Sequence, residues 1–228
     1  VEKPLALTLE DVASIESCFE AQETRKHFTV GFNRRFSPHS IKVRKLIQET
    51  SAPVYFLVTV NAGKIDPKHW TRDKNLGGGR IIGEACHFVD LLRFLAGAAI
   101  TKISSESIDP SHDQNDGARI SIKFENGFCG DIIYTTNGSR SYPKERVEIF
   151  SAGRNIVIDN FRVTKGFGWK GISTFRTWGQ KKGHVACVKG FLDSLDSESE
   201  IIPFYEIIEV SRGVIEVAKQ LEAGSSGN

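Results

Sequence analysis

The 228 residues predict an α+β fold: a large, mostly antiparallel, open-faced sheet with helices on one face, preceded by the tail end of a doubly wound α/β domain. Three observations carry this reading. Short alternating or β-rich runs dominate residues 54–164. Turn residues separate them at Glu125-Asn126-Gly127, Asn137-Gly138 and Ala152-Gly153, which favours hairpins over parallel crossovers. The first fifty residues instead alternate strand-like and helix-like patterns.

Taken in order, Thr8 is a suitable N-cap for a helix over residues 9–21, with Glu10 and Asp11 in its first turn. Residues 28–32 read as a short buried strand. Ser37-Pro38 supplies a cap and a first-turn proline for a helix reaching about Gln48. A half-buried strand spans 54–61. Gly77-Gly78-Gly79 then leads into a helix whose buried stripe is Ile81, Phe88, Leu92 and Leu95, stopped by Gly97. Strands follow at 103–108, 118–124, 129–135, 146–150, 155–159 and 161–164. Helices at 182–193 and 203–222 precede a frayed tail, Gly224 to Gly227. The change of pattern divides the chain at 1–50 and 51–228.

Composition limits the function classes. Thirty basic and 28 acidic residues give a net charge of +2, which leaves no electrostatic footprint for nucleic acid or an anionic membrane. No apolar run is long enough to span a bilayer, and no signal peptide opens the chain. Cys18, Cys86, Cys129 and Cys187 are scattered with no CxxC pair, as expected of reduced thiols in the cytoplasm. The chain opens at Val1 and contains no methionine, so we expect a fragment of a longer polypeptide.

The densest chemical signal is Gly77–Gly97, where Glu84, His87 and Asp90 are spaced by three. On a helix, Glu84 and His87 share a face, and a histidine there suits proton transfer. The same spacing fits the wet side of a core-facing helix. It also fits an ExxH-type metal set, but no further ligands for one are identifiable, and we expect no metal.

This segment resembles the signature of the glucose-fructose oxidoreductase and inositol dehydrogenase family (Gfo/Idh/MocA). In that pattern Gly-Gly-Gly is followed by an aspartate and then a histidine, each four positions on. His87 matches the histidine; Gly83 stands at the aspartate position, with Glu84 beside it. Glu2-Lys3-Pro4 resembles the family's Glu-Lys-Pro, where the lysine is catalytic and the proline bond is often cis. Gly31-Phe32-Asn33-Arg34-Arg35-Phe36-Ser37-Pro38 resembles its Arg-Phe-x-Pro landmark. Val60-Asn61-Ala62-Gly63, His69-Trp70, Tyr142-Pro143-Lys144-Glu145-Arg146 and Lys182-Gly183-His184 resemble a subgroup, some of whose members carry this unit behind a zinc-type alcohol dehydrogenase.

The resemblance covers essentially the whole chain and implies a Rossmann-type domain ending near residue 50. It implies hydride transfer between NAD or NADP and a sugar, sugar derivative or polyol. Lys3 and His87 are then the catalytic candidates, with Glu84 orienting the histidine. Glu2, Lys3 and Pro4 would border the cofactor. Asn33, Arg34, Arg35, His69 and Trp70 would line the substrate pocket, one arginine of the pair being structural. Lys144 and Arg146 are pocket cations or surface pairs. The phosphate-cradling GxGxxG is not expected in the chain, so most cofactor contacts would lie upstream of Val1 and the fragment would be inactive alone. A broad uncovered sheet face implies a homo-dimer or tetramer. The alternative is a non-catalytic module for sheet-mediated oligomerisation or ligand binding.

Overall fold

The computed structural model describes residues 1–23, 27–66, 68–73, 76–108, 117–197 and 199–225. Helix α1, Leu9–Glu20, is capped by the Thr8 hydroxyl, which accepts from the Asp11 amide at 3.1 Å. A 3₁₀ turn, Asn33–Phe36, runs into helix α2, Pro38–Gln48, whose cap is Ser37 and whose first residue is the proline. Strand β1 is Tyr55–Asn61. A 3₁₀ turn at Trp70–Arg72 and a π-helical turn at Ile81–Ala85 precede helix α3, Cys86–Ala96. Gly97 ends α3 in the left-handed conformation. Strands β2 (Ile100–Ser107), β3 (Ala118–Phe124), β4 (Cys129–Thr135), β5 (Glu145–Ser151), β6 (Arg154–Asp159), β7 (Val163–Phe167) and β8 (Thr174–Arg176) follow. Helices α4 (His184–Ser194) and α5 (Phe204–Ser225) close the chain.

The strands form one sheet in the order β2-β3-β4-β1-β5-β6-β7-β8. All neighbours are antiparallel except β1 and β4, which run parallel with Val58 opposite Ile132. The parallel pair arises because α3, β2 and β3 intervene between those strands. Alternation along the strands sorts the faces: Phe56, Val58, Val60, Ile120, Ile122, Ile132, Val147, Ile149 and Ile158 are buried. Leu57, Thr59, Arg119, Ser121, Arg146 and Glu148 lie on the other, partly exposed face. Helix α5 crosses β2, where Ser105 donates to the Val217 carbonyl. Helix α2 covers the far end, where the His39 ring sits between the hydroxyls of Thr164 and Thr177 at 2.7 and 3.0 Å. All helices that touch the sheet in these contacts lie on one side of it.

Several expectations need correction. Residues 28–32 are extended but do not join the sheet. They pair instead with the first residue: the Val1 amine donates to Thr29 O at 2.9 Å, and the Gly31 amide donates to Val1 O at 3.0 Å. This is the hydrogen-bond pattern of a parallel pair. Val12, Val30, Phe32, Val43 and Ile47 belong to the same continuous core as the large sheet. Strand β8 was not anticipated; its three residues are too few for a period to register. Strand β7 starts two residues late because Asn160 and Phe161 occupy a turn with φ of 48° and 52°. No glycine marks that turn; full burial of the Phe161 ring against His39 holds it. The end of the chain is helical through Ser225, with Ser226 and Gly227 outside the described residues.

A GxGxxG spacing is present after all, at Gly166, Gly168 and Gly171. It occupies the β7–β8 hairpin and opens no helix, so it lacks the amide-lined helix N-terminus that cradles phosphate.

Arg35 is structural. Its guanidinium donates to both Asp90 oxygens at 2.5–3.1 Å and to Glu206 at 2.8 Å, tying the 33–36 turn to α3 and α5. Arg93 adds a contact to Glu206 at 3.6 Å and a bond to Glu209 at 2.9 Å. Arg35 and Asp90 are almost wholly removed from water. Burial pushes the Asp90 carboxyl up to about 6 while Arg35 pulls it back, so it is ionised at neutral pH. Asp90→Ala leaves a buried guanidinium short of its partner. It is expected to cost about 3–5 kcal/mol and to lower the thermal midpoint by roughly 10 °C in a calorimetric scan.

Candidate functional site

The site candidates gather where α3 begins. Gly77, Gly78 and Gly79 deliver the chain into it: a Cβ on Gly77 would lie 2.5 Å from Thr71 Cα, and Gly78 and Gly79 have φ of 69° and 74°. The π-helical turn Ile81–Ala85 follows, a feature that recurs at functional sites. It changes the register that the spacing Glu84–His87–Asp90 assumes, and the three side chains find three different environments. Asp90 meets Arg35. Glu84 meets Arg80, Tyr134 and Lys144. His87 packs its ring edge-on to Phe32, with centroids 6.4 Å apart.

His87 is buried, and its Nδ1 has no hydrogen-bond partner among the described residues. Burial, then the charges of Arg34, Lys3, His184 and Lys182, hold its pKa well below the usual histidine value, so the ring is neutral at pH 7. Lys3 follows the same logic of placement. Its ammonium donates to the Gly83 carbonyl, one turn before His87, and the Lys3–Pro4 bond is cis. The structure therefore brings Lys3 and His87 together.

Glu84 takes a different part from the one expected. Desolvation alone would raise its pKa. The Lys144 ammonium, helped by the Tyr134 hydroxyl and the Arg80 guanidinium, outweighs that and draws the carboxyl down to about 2. Burial and the neighbouring carboxylate in turn raise the Tyr134 hydroxyl. With its oxygens occupied by these three donors, Glu84 makes no hydrogen bond to His87 among the described residues.

Arg34 lies close to His87, and a carboxylate holds it there. Its Nε and Nη2 donate to Glu145 at 3.2 and 2.9 Å, and the guanidinium lies 5.2 Å over the Phe88 ring. Lys182 shares Glu145 at 2.6 Å. Those charges outweigh the burial of Glu145, whose side chain is 0% exposed, and keep its carboxyl below the ordinary range. Asn33 is a brace: it donates to Lys182 O at 2.8 Å and accepts from Arg34 at 3.0 Å. Gly183 allows this closure, since a Cβ there would lie 2.2 Å from the Asn33 carbonyl oxygen.

His69 and Trp70 stack on each other with centroids 5.9 Å apart, exposed on the turn that packs against Gly77. Among the described residues no contact joins them to His87. Glu2 is exposed beside Gly31. Arg146 pairs with Glu148 at 3.0 Å on the partly exposed sheet face, whereas Lys144 belongs to the Glu84 cluster. Sequence reasoning assigned no role to Glu145, Lys182, Arg80 or Tyr134. One signal was present: Glu145 opens a strand whose alternation places it on the buried face with Val147 and Ile149. Among the described residues, no group of three or more His, Cys, Asp or Glu is gathered as a metal-binding set. None of the described helices is long and apolar enough to cross a membrane.

The part of the chain that holds β1, α3 and strands β2 to β5 is matched by a family model. The GFO/IDH/MocA C-terminal domain matches residues 42–155. The chain belongs to that family. It is 26% identical over 216 residues to the uncharacterized oxidoreductase YrbE of Bacillus subtilis, covering 91% of the chain and 60% of that protein. It is 30% identical over 181 residues to scyllo-inositol 2-dehydrogenase (NAD(+)) of the same organism, covering 71% of the chain and 48% of that protein. The chain thus spans well under two thirds of the length of these relatives. UDP-N-acetylglucosamine 3-dehydrogenase GnnA of Acidithiobacillus ferrooxidans shares the fold, with a TM-score of 0.77 at 18% identity over 98% of this chain and 70% of that one.

The Glu84 cluster makes a stability prediction. Its carboxyl titrates near 2 in the folded state against an ordinary 4.5, so its contribution is complete above about pH 4.5 and is lost as pH falls toward 2. Glu84→Gln is expected to be less stable than the parent by roughly 2 kcal/mol at pH 7. The gap should close in urea titrations near pH 2; a gap independent of pH would assign the effect to packing.

Proposed function

We propose that this chain forms the substrate side of an oxidoreductase that moves a hydride between NAD or NADP and a sugar, sugar derivative or polyol. One observation carries the reading: His87 is 6% exposed, neutral, and has an unpartnered ring nitrogen beside the anchored ammonium of Lys3. A buried polar atom without a partner is costly unless a ligand completes it. The likeness to scyllo-inositol 2-dehydrogenase (NAD(+)) supports a polyol or sugar substrate and a nicotinamide cofactor.

The residues fit such a reaction on its substrate side. A neutral imidazole accepts the proton of a substrate hydroxyl. Lys3, held by the Gly83 carbonyl, stabilises the oxygen as negative charge develops on it. Phe32 walls one side of the ring from water. When bound, the nicotinamide would supply the hydride acceptor, bordered by Glu2, Lys3 and Pro4.

The remaining assignments belong to the same proposal. Residues 1–50 are the end of a dinucleotide-binding half, and residues 51–228 form the substrate and assembly domain. The cofactor is held mainly by sequence outside this chain, because the GxGxxG here lies in a hairpin. A second copy packing on the partly exposed sheet face would give a dimer or tetramer. Free cysteines fit the cytoplasm. Assignment to the subgroup fused behind a zinc-type alcohol dehydrogenase rests on the motifs alone. A non-catalytic module is favoured by one observation, the diversion of Glu84 away from His87.

His87→Ala in the full-length enzyme is expected to lower kcat/KM by roughly 10²–10⁴-fold with a panel of sugars and polyols. The parent's acid-side loss should fall well below pH 6.5, because the neutral base titrates there. Unchanged turnover in the variant would remove His87 from the chemistry and favour the binding module. The 228-residue chain by itself is expected to show no micromolar NADH binding by tryptophan fluorescence transfer.

A further inference from the structure

The fixed charges that meet the turn opening α3 and the start of β5 do not balance. Arg34 and Lys182 share the single carboxylate of Glu145, at 2.9 and 2.6 Å. Arg80 and Lys144 share the single carboxylate of Glu84. Lys3 donates to a neutral carbonyl, that of Gly83. Each arrangement leaves one positive charge over. Both carboxyls are ionised at neutral pH, so five cations face two anions.

The three arrangements form one wall. Gly83 and Glu84 are adjacent and lie one turn before His87, while Lys144 and Glu145 are adjacent at the start of β5. Lys144 reaches across to Glu84, and Glu145 reaches Arg34, whose guanidinium lies over Phe88. The three carboxylates of the buried knot behind, Asp90, Glu206 and Glu209, are balanced by three cations, Arg35 and Arg93 in ion pairs and Arg44 through its attraction to Glu206. Glu2 is exposed, where water screens it. Within the wall the Lys144 side chain is 39% exposed, against 15% for Lys182, 7% for Arg34 and 4% for Arg80.

A neutral polyol needs no such excess, and cations removed from water are costly when uncompensated. A surface of one sign also concentrates ligands of the other. We propose that the substrate of this site is a sugar derivative bearing a carboxylate or a phosphate, received by Lys144, which meets the turn at Glu84, next to the Gly83 carbonyl that holds Lys3. The proposal rests on the substrate-side reading above for its reaction, while its binding prediction is tested independently.

The test measures binding to the full chain by calorimetry at fixed ionic strength, using glucose, glucuronate and glucose 6-phosphate. Inorganic phosphate and NADH serve as separate arms. At least one of the two anionic sugars should bind about tenfold or more tightly than glucose. That preference should weaken with added KCl. Lys144→Gln should lose most of it, and Lys144→Arg should keep it, which separates charge from folding. Equal binding of glucose and both anionic sugars overturns the proposal, as does full preference retained in Lys144→Gln. Inorganic phosphate binding as tightly as the anionic sugars, or NADH binding with no preference among sugars, also overturns it by assigning the charge elsewhere.

Hydride transfer in the full-length enzyme is scored apart from binding. Turnover confined to neutral polyols sinks the anionic substrate and leaves the dehydrogenase reading intact. Anion-selective binding with no reduction of NAD or NADP does the reverse.

Discussion

Two adjacent arginines on one 3₁₀ turn hold the molecule's two ends against its middle. Arg34 turns to Glu145 at the start of β5, and Arg35 turns to Asp90 on α3 and Glu206 on α5. The three carboxylates are all buried, so none of these contacts can be exchanged for water. Removing a partner from such a set leaves a charge stranded, which makes the arrangement an all-or-none constraint. Its geometric result is that the 33–36 turn, α3 and the start of β5 meet at a fixed distance. His87 lies in that meeting place, against Phe32 on one side and near Arg34 on the other.

The π-helical turn at Ile81–Ala85 divides the chemistry within this frame. In a regular helix Glu84 and His87 would share a face and act as a pair. Here Glu84 is drawn to Tyr134 and Lys144, both on the sheet side, and among the described residues no carboxylate bonds to the histidine. The result is a neutral ring in a surplus of positive charge. Lys3 is part of that surplus, its ammonium steadied by the Gly83 carbonyl on the same turn. The neutral imidazole of His87 and the ammonium of Lys3 are thus both set by the turn that opens α3.

The sheet's two faces serve different ends. Helices α2 and α5 pack on the buried face, with aliphatic side chains contributing most of the contact. The opposite face carries its own polar order. Asp131 accepts from Tyr55, from Ser121 and from Arg119 across β1, β3 and β4. Such cross-strand pairing keeps a half-open face specific without closing it. Tyr55, Phe150 and Phe167, all more than one third exposed, add aromatic surface to that face or its edge.

By itself the sequence determined the elements whose signals are local. Thr8, Ser37-Pro38 and Gly97 set helix limits, and the alternation of β3, β4 and β6 declared both strands and faces. Resemblance to the family singled out Lys3 and His87, which the fold brings together. Only the tertiary structure decided which charged groups meet. Arg34 and Arg35 are neighbours with identical side chains, and their opposite partners lie 111 and 55 residues away. Asn33 reaches 149 residues to brace Lys182, and the glycine spacing at Gly166, Gly168 and Gly171 became a hairpin because strands flank it. Hydrogen-bonded periodicity is written into neighbouring residues, whereas the pairing of buried charges is settled by which chain segments pack together and exclude water.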